Sequence, residues 1–169
     1  MDGLQYEYRT GIGTDIHQLV ADRPLVLGGV QVPFELGLLG HSDGDVVLHA
    51  VIDAVLGAAG LGDIGTLFPD TDSQWKDADS RDLLAQTREF YKQHRWEVVN
   101  LDVIIHAQRP KLAAYKGQIK RQVAGLLETD FANVNIKAKT NEGLDAVGEG
   151  RAIAATVMVL LRRRLKRTL

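Results

Sequence analysis

Cysteine is absent from the 169-residue chain. No disulfide framework or thiolate metal site can form, so any metal must sit on His, Asp or Glu. A large charge excess is also missing. Lys plus Arg total 20 against 22 for Asp plus Glu, a near balance that gives no general field drawing the chain onto nucleic acid or a membrane surface. A small ligand fits better. No run reaches the roughly 18 uninterrupted apolar residues that cross a bilayer, and Ala152 to Leu161 is too short. The opening Met1 to Thr10 is acidic and polar and lacks the basic start and apolar core of a secretory signal. A soluble protein is the expectation. Gly11-Ile12-Gly13 has no third glycine of a dinucleotide fingerprint, and no Walker-type Gly-Lys-Ser/Thr occurs. Neither standard nucleotide loop is supported.

What is present suggests one domain over residues 8–161, with a tail at 1–7 and a basic tail at 162–169. Tyr6 to Gly13 and Leu25 to Val32, the latter broken by Gly28-Gly29, read as strands. Ser42-Asp43-Gly44-Asp45 precedes a small and aliphatic run, Val46 to Ala59, which reads as a capped helix. The segment from Gly60 through Phe68-Pro69-Asp70-Thr71-Asp72 has turn residues without hydrophobic period and reads as a loop. Asp79-Ser80 caps a second helix, Pro110 opens a third, and Asn133 to Lys139 reads as a strand. Alternation of Val99, Leu101, Val103 and Ile105 marks another, and β-branched residues favour a last strand over Ala152 to Leu160. The fold expected is α+β: a mixed β-sheet with helices on one face, leaving the other face for a homo-oligomer to cover.

Asp15 and His17 are two apart and share a side if the chain there is extended. His49 lies on the first helix with Asp45 and Asp53 one turn away, so a carboxylate is expected to orient its second ring nitrogen. Three N and O ligands with a fourth position open is the pattern of catalytic zinc. His41-Ser42-Asp43-Gly44-Asp45 places an imidazole, a hydroxyl and helix amides where a phosphate could bind. Lys137-Ala138-Lys139-Thr140-Asn141-Glu142 offers amines, a hydroxyl and a carboxylate suited to phosphates and a second metal. Each taken alone also reads as something ordinary: unrelated histidines, a helix cap, an exposed polar loop.

Together, the blocks Gly13-Thr14-Asp15-Ile16-His17, Gly40 through Ala50, Leu61-Gly62-Asp63-Ile64-Gly65, Phe68-Pro69-Asp70-Thr71-Asp72 and Ala107-Gln108-Arg109-Pro110-Lys111 occur in one order. That combination resembles the 2-C-methyl-D-erythritol 2,4-cyclodiphosphate synthases of the non-mevalonate isoprenoid pathway, from about Tyr8 to about Leu161. The resemblance implies a homotrimer with active sites between subunits. It implies a lyase that closes 4-diphosphocytidyl-2-C-methyl-D-erythritol 2-phosphate into a cyclic diphosphate and expels CMP. By the same resemblance Zn2+ sits on Asp15, His17 and His49, and Mg2+ or Mn2+ on Glu142, while His41 and Thr140 steady the transition state. Ser42, Asp63, Gly65, Asp70, Thr71 and Asp72 match the methylerythritol phosphate end, Phe68 is a further substrate contact, and Asp53 supports His49 or touches substrate. Ala107, Lys111, Leu112, Ala138 and Lys139 match the cytidine diphosphate pocket, Lys139 standing where many relatives carry Thr. Where relatives commonly read Gly-Arg-Gly-Glu-Gly, this chain reads Gly148-Glu149-Gly150-Arg151-Ala152, so no isoprenoid diphosphate in a central cavity is expected. The competing readings are a phosphodiesterase or pyrophosphatase that admits water, and a non-catalytic nucleotide-binding scaffold.

Overall fold

A computed structural model describes residues 4–165. Seven strands appear among them: β1 (Tyr6–Val20), β2 (Leu25–Leu27), β3 (Val30–Val32), β4 (Gly37–Leu38), β5 (Glu97–His106), β6 (Val134–Lys139) and β7 (Ala152–Arg164). The helices are α1 (Val46–Ala59), α2 (Ile64–Leu67), α3 (Ser80–Gln93), α4 (Lys116–Leu127) and α5 (Asp145–Gly148), with single 3₁₀ turns at Ser73–Trp75 and Phe131–Asn133. Five strands form one sheet in the order β4-β1-β7-β5-β6, and β2-β3 is a separate hairpin turning at Gly28 and Gly29. Only β5-β6 is parallel within the large sheet, so the sheet is mixed and the fold is α+β.

The inner sheet face carries Leu101, Val103 and Ile105 of β5 and Ile153, Ala155, Val157, Val159 and Leu161 of β7, all buried. Helix α1 lies over it, against β1 and β7. Eleven of its 14 residues are buried, since α3 covers its far side. Full burial of each large aliphatic side chain contributes about 1.5–3 kcal/mol. The axis of α1 comes very close to β1 because Gly11 and Gly13 have no side chain. A Cβ on Gly13 would stand 2.0 Å from the Ala50 carbonyl oxygen, and one on Gly11 2.1 Å from that of Ala54. The glycines that fail a nucleotide fingerprint thus set a helix-to-strand distance.

Asp45 anchors the other end of α1. Its fully buried carboxylate accepts from the amides of Val47 (3.1 Å) and Leu48 (3.0 Å) and from Gly28 (2.8 Å) and Gly29 (2.6 Å), tying the β2-β3 turn to the helix start. Burial pushes this carboxyl up to about 6, against the opposing pull of those amides.

Three sequence expectations need correction. The third helix starts at Lys116, not at Pro110. The segment between continues off the sheet through an Ala107 amide to Lys139 carbonyl bond, then buries Leu112 and turns at Leu112 to Tyr115, and proline suits a turn as well as a helix start. The region read as a loop after Gly60 holds α2 and a 3₁₀ turn, each capped by an aspartate, Asp63 and Asp72. Arg162, Arg163 and Arg164 belong to β7 and not to a tail, as Tyr6 and Glu7 belong to β1. Arg163 pairs with Glu7 (2.7 Å) and lies over the Trp96 ring, and Arg162 pairs with Glu97 (3.1 Å) over Tyr6. The apolar stems of these side chains let the strand run on. Lys166 and Arg167 of the expected tail lie outside the described residues.

The outer sheet face is not covered by helices. Tyr8, Ile12, Ile16 and Met158 are more than half exposed there, on β1 and β7.

Candidate metal centre and active site

Alternation along β1 puts Gly11, Gly13, Asp15 and His17 on the face toward α1. His49, the residue just before Ala50 on α1, projects toward the same place. The three side chains meet. Asp15 Oδ2 is 2.9 Å from His17 Nε2 and 3.0 Å from His49 Nδ1, and the two ring nitrogens are 3.1 Å apart. Among the described residues this is the one group of three or more such ligands close enough to share an ion.

The donor chemistry fits a divalent cation. His17 Nδ1 donates to the Leu39 carbonyl (2.5 Å), so its Nε2 presents a lone pair to the triangle. Ligand atoms held tetrahedrally at about 2.0–2.1 Å stand about 3.3 Å apart, so the triangle needs to open by only a few tenths of an ångström. Three protein ligands would leave a fourth position of such an ion open to a substrate oxygen or water.

Without a cation, a proton serves in its place. Burial works to raise the Asp15 carboxyl, but the hydrogen bonds and charge of His17 and His49 outweigh it and hold the group well below the usual carboxylate range. Burial likewise works to lower His17, yet Asp15 and the Leu39 carbonyl raise it above 6.5 on balance. The signs follow. Stabilisation from His17 is present below its unfolded value and lost as pH rises through its raised folded value. Stabilisation from Asp15 is present above its unfolded value and lost as pH falls through its depressed one. The metal-free pair therefore stabilises most between about pH 4 and 6.5, where a proton on His17 competes with a metal for the same nitrogen. Zinc affinity measured by competition titration is expected to fall on acidification from a point above pH 6.5, with melting temperatures of loaded and metal-free protein converging there. Affinity independent of pH between about 5 and 8 would remove His17 from the ligand set.

A cavity of about 420 Å³ opens beside the triad. His41, Ser42, Asp53, Gly65, Phe68 and Asp70, all expected from the sequence, line it together with Asp15, His17 and His49. Asp53 on α1 accepts from the Ile64 amide (2.8 Å), and Asp63 caps α2 through the Thr66 amide (2.7 Å), so these two shape the loop that carries Gly65. Burial raises the Asp53 carboxyl, helped by the charges of Asp63 and Asp15. Thr71 and Asp72 lie next on the chain but are not among the lining residues, and Asp72 is engaged with the Gln74 amide (3.0 Å). Trp75, packed edge-on against Phe68 at 5.0 Å, also lines the cavity, as do Ile64 and Leu83. None of these three was expected as a site residue, although Ile64 stands inside one of the family blocks, because aromatic and aliphatic residues at such positions look like core.

The second ring nitrogen of His49 is not served by a carboxylate, contrary to expectation. Asp45 and Asp53 are engaged with backbone amides, and His49 Nε2 instead meets two hydroxyls, Ser42 Oγ and Ser80 Oγ, each at 3.0 Å.

The remaining expected residues lie elsewhere in the chain's fold. Asp15 pairs with Ala155, Ala155 with Ile105, and Ile105 with Ala138, which places β6 three strand spacings, about 14 Å, from the triad. Ala138, Lys139, Thr140 and Glu142 are at the end of β6, and Ala107, Lys111 and Leu112 follow the end of β5 beside it. Thr140 Oγ1 donates to Glu142 (2.6 Å). None of these seven lines the cavity.

Comparison with known proteins supports one lineage. The YgbB family matches residues 8–162. A 2-C-methyl-D-erythritol 2,4-cyclodiphosphate synthase of Geobacillus sp. (strain WCH70) is 54% identical over 157 residues, covering 93% of this chain and 99% of that one. Among solved structures, the bifunctional IspDF of Campylobacter jejuni superposes with a TM-score of 0.90 at 42% identity, over 94% of this chain and 43% of that chain. IspF of Plasmodium falciparum in its CDP complex superposes at 0.82 with 33% identity, over 94% and 97%. With nearly its whole length matched and the ligand triangle assembled, the chain belongs to the YgbB family.

Proposed function

We propose that the chain converts 4-diphosphocytidyl-2-C-methyl-D-erythritol 2-phosphate into 2-C-methyl-D-erythritol 2,4-cyclodiphosphate and CMP, a step of isoprenoid precursor biosynthesis in the cytoplasm. The observation that carries this is the Asp15-His17-His49 triangle, with donor atoms 2.9–3.1 Å apart at the wall of a cavity, in a chain 54% identical to an enzyme of that name.

The chemical obstacle is charge. An anionic 2-phosphate must approach an anionic diphosphate, and two unit charges about 4 Å apart repel by roughly 4 kcal/mol at an effective dielectric near 20. Zinc on Asp15, His17 and His49, with Mg2+ or Mn2+ on Glu142, would supply Lewis acidity and charge neutralisation at the phosphoryl oxygens. The side chains do the rest. His41 and Thr140 steady developing charge, and Ser42, Asp53, Asp63, Gly65, Phe68, Asp70, Thr71 and Asp72 hold the methylerythritol phosphate end. Ala107, Lys111, Leu112, Ala138 and Lys139 receive the cytidine diphosphate. Holding both phosphates at reacting distance accounts for a large part of such a rate.

We further infer a homotrimer in which a neighbour's β6 end completes each site. Two features favour it: the 14 Å separation of Glu142's strand from the triad, and the uncovered apolar stripe of Ile12, Ile16 and Met158. Patches of this kind mark interaction surfaces.

Product analysis tests the reaction. With substrate, zinc and magnesium, CMP and a cyclic diphosphate should appear in equal amounts. A linear methylerythritol bisphosphate would instead show that water attacks, as in the phosphodiesterase reading.

A further inference from the structure

Ser80 is the first residue of α3 and is fully buried. A serine there has an obvious helix-capping look, but the cap of α3 is Asp79, which accepts from the Arg81 amide (2.8 Å). The Ser80 hydroxyl is therefore available for something else. Its Oγ lies 3.0 Å from His49 Nε2 and donates to the Asp43 carboxylate in a short hydrogen bond. Asp43 is itself held, Oδ1 accepting from the Asp45 amide (3.1 Å) and Oδ2 from the Ser80 amide (3.1 Å).

The proton count along this chain has one outcome. A carboxylate can only accept, so the single hydroxyl proton of Ser80 is committed to Asp43, and toward His49 the oxygen offers a lone pair. His49 Nε2 must then carry the hydrogen. Nδ1, which faces Asp15 and His17, is then the ring nitrogen left to bind a cation, which would take the place of its contact with the Asp15 carboxylate. We propose that Ser80, backed by Asp43, is a positioning residue that fixes the Nε2–H tautomer and orientation of His49 and so readies Nδ1 to bind the cation. This inference rests on the metal reading above and extends it to a residue on a different helix.

Ser42 also touches Nε2, at 3.0 Å, but its Oγ accepts only a long bond from the Gly44 amide (3.3 Å) and has no carboxylate behind it. Its proton can point either way. Ser42 alone therefore leaves both tautomers open, and Ser80 decides between them. Groups that orient a metal-binding histidine typically account for about 10–100-fold in metal affinity.

The test compares the wild type with Ser80→Ala and Ser80→Thr. Ring-nitrogen NMR of the metal-free wild type at neutral pH should show His49 protonated on Nε2. A wild-type ring protonated on Nδ1 alone would overturn the proposal without any variant. Competition titration should show zinc affinity about 10–100-fold weaker for Ser80→Ala, with mixed tautomers at His49, and near wild-type behaviour for Ser80→Thr, which keeps the hydroxyl. Equal zinc affinity in the alanine variant, or a threonine variant as weak as the alanine one, would show that the hydroxyl does not act on the site. Failure of the wild type to take zinc would defeat the metal reading itself, and the ring tautomer would still report on Ser80.

Discussion

Replacing His49 by alanine is expected to remove zinc uptake and turnover together. His49 supplies one of three converging donors, and its loss also leaves Asp15 and His17 a two-ligand site. Partners outside a coordination sphere already account for about 10–100-fold in affinity, so deleting a ligand should exceed the upper end of that range. Metal analysis of the purified variant and a CMP-release assay measure the two effects. Folding should survive, since the ring is partly exposed and its main partners are hydroxyls and the other ligands. A variant that keeps zinc would remove His49 from the site, and one that keeps turnover without zinc would favour a non-metal reaction. The same variant probes the shared site. Inactive His49→Ala and Glu142→Ala subunits, unfolded and reassembled together, should regain activity, because some interfaces then pair an intact triad with an intact Glu142. No recovery from such mixed oligomers would place both residues in one subunit's site.

Gly13→Ala should be nearly as damaging for a steric reason. The added Cβ would stand 2.0 Å from the Ala50 carbonyl oxygen and 2.7 Å from the Ala54 amide nitrogen, both backbone atoms of α1, so relief requires moving the helix by more than about 1 Å. Overpacking of a core costs about 1–3 kcal/mol, and contact with rigid backbone puts this substitution at or above the top of that range. A melting temperature lower by about 6–12 °C follows for a chain of this size. The site is affected as well. His49 rides on α1 one residue before Ala50, while Asp15 follows Gly13 by two on β1, so displacement widens the ligand triangle directly. Misplacement of about 1 Å can cost 100-fold in rate. Gly57→Ala is the control, with nothing within 4 Å of the added carbon. It should be neutral or stabilising by up to about 1 kcal/mol. A Gly13→Ala protein with wild-type zinc affinity would show that α1 does not set the spacing.

The parts of this account that were legible in the sequence are those where local pattern and tertiary demand agree. Val46–Ala59 stands as the helix expected, because Asp45 caps it and its small and aliphatic residues suit burial on all sides. Asp15 and His17 share a face because β1 is extended there. Other features depend on contacts that no local pattern encodes. Ser80 is 31 residues from His49 and 37 from Asp43, and its place at a helix start made capping the obvious role. Gly11 and Gly13 carried no reading once the third glycine of a dinucleotide fingerprint was missing, whereas their function in the fold is to admit α1. Pro110 carried a helix-start signal that burial of Leu112 overrode. Within one chain Ala138, Thr140 and Glu142 are not brought to the triad, since three strand spacings of the sheet hold the end of β6 about 14 Å away.

The most direct measurement is the position of bound zinc, from anomalous scattering at its absorption edge in crystals of the zinc-loaded protein. One peak is predicted per triad, about 2.0–2.1 Å from His17 Nε2 and His49 Nδ1 and about 2.0–2.2 Å from Asp15 Oδ2, with its fourth position toward the cavity lined by His41 and Gly65. A peak away from this triangle, or four protein ligands closing the ion off from the cavity, would contradict the account.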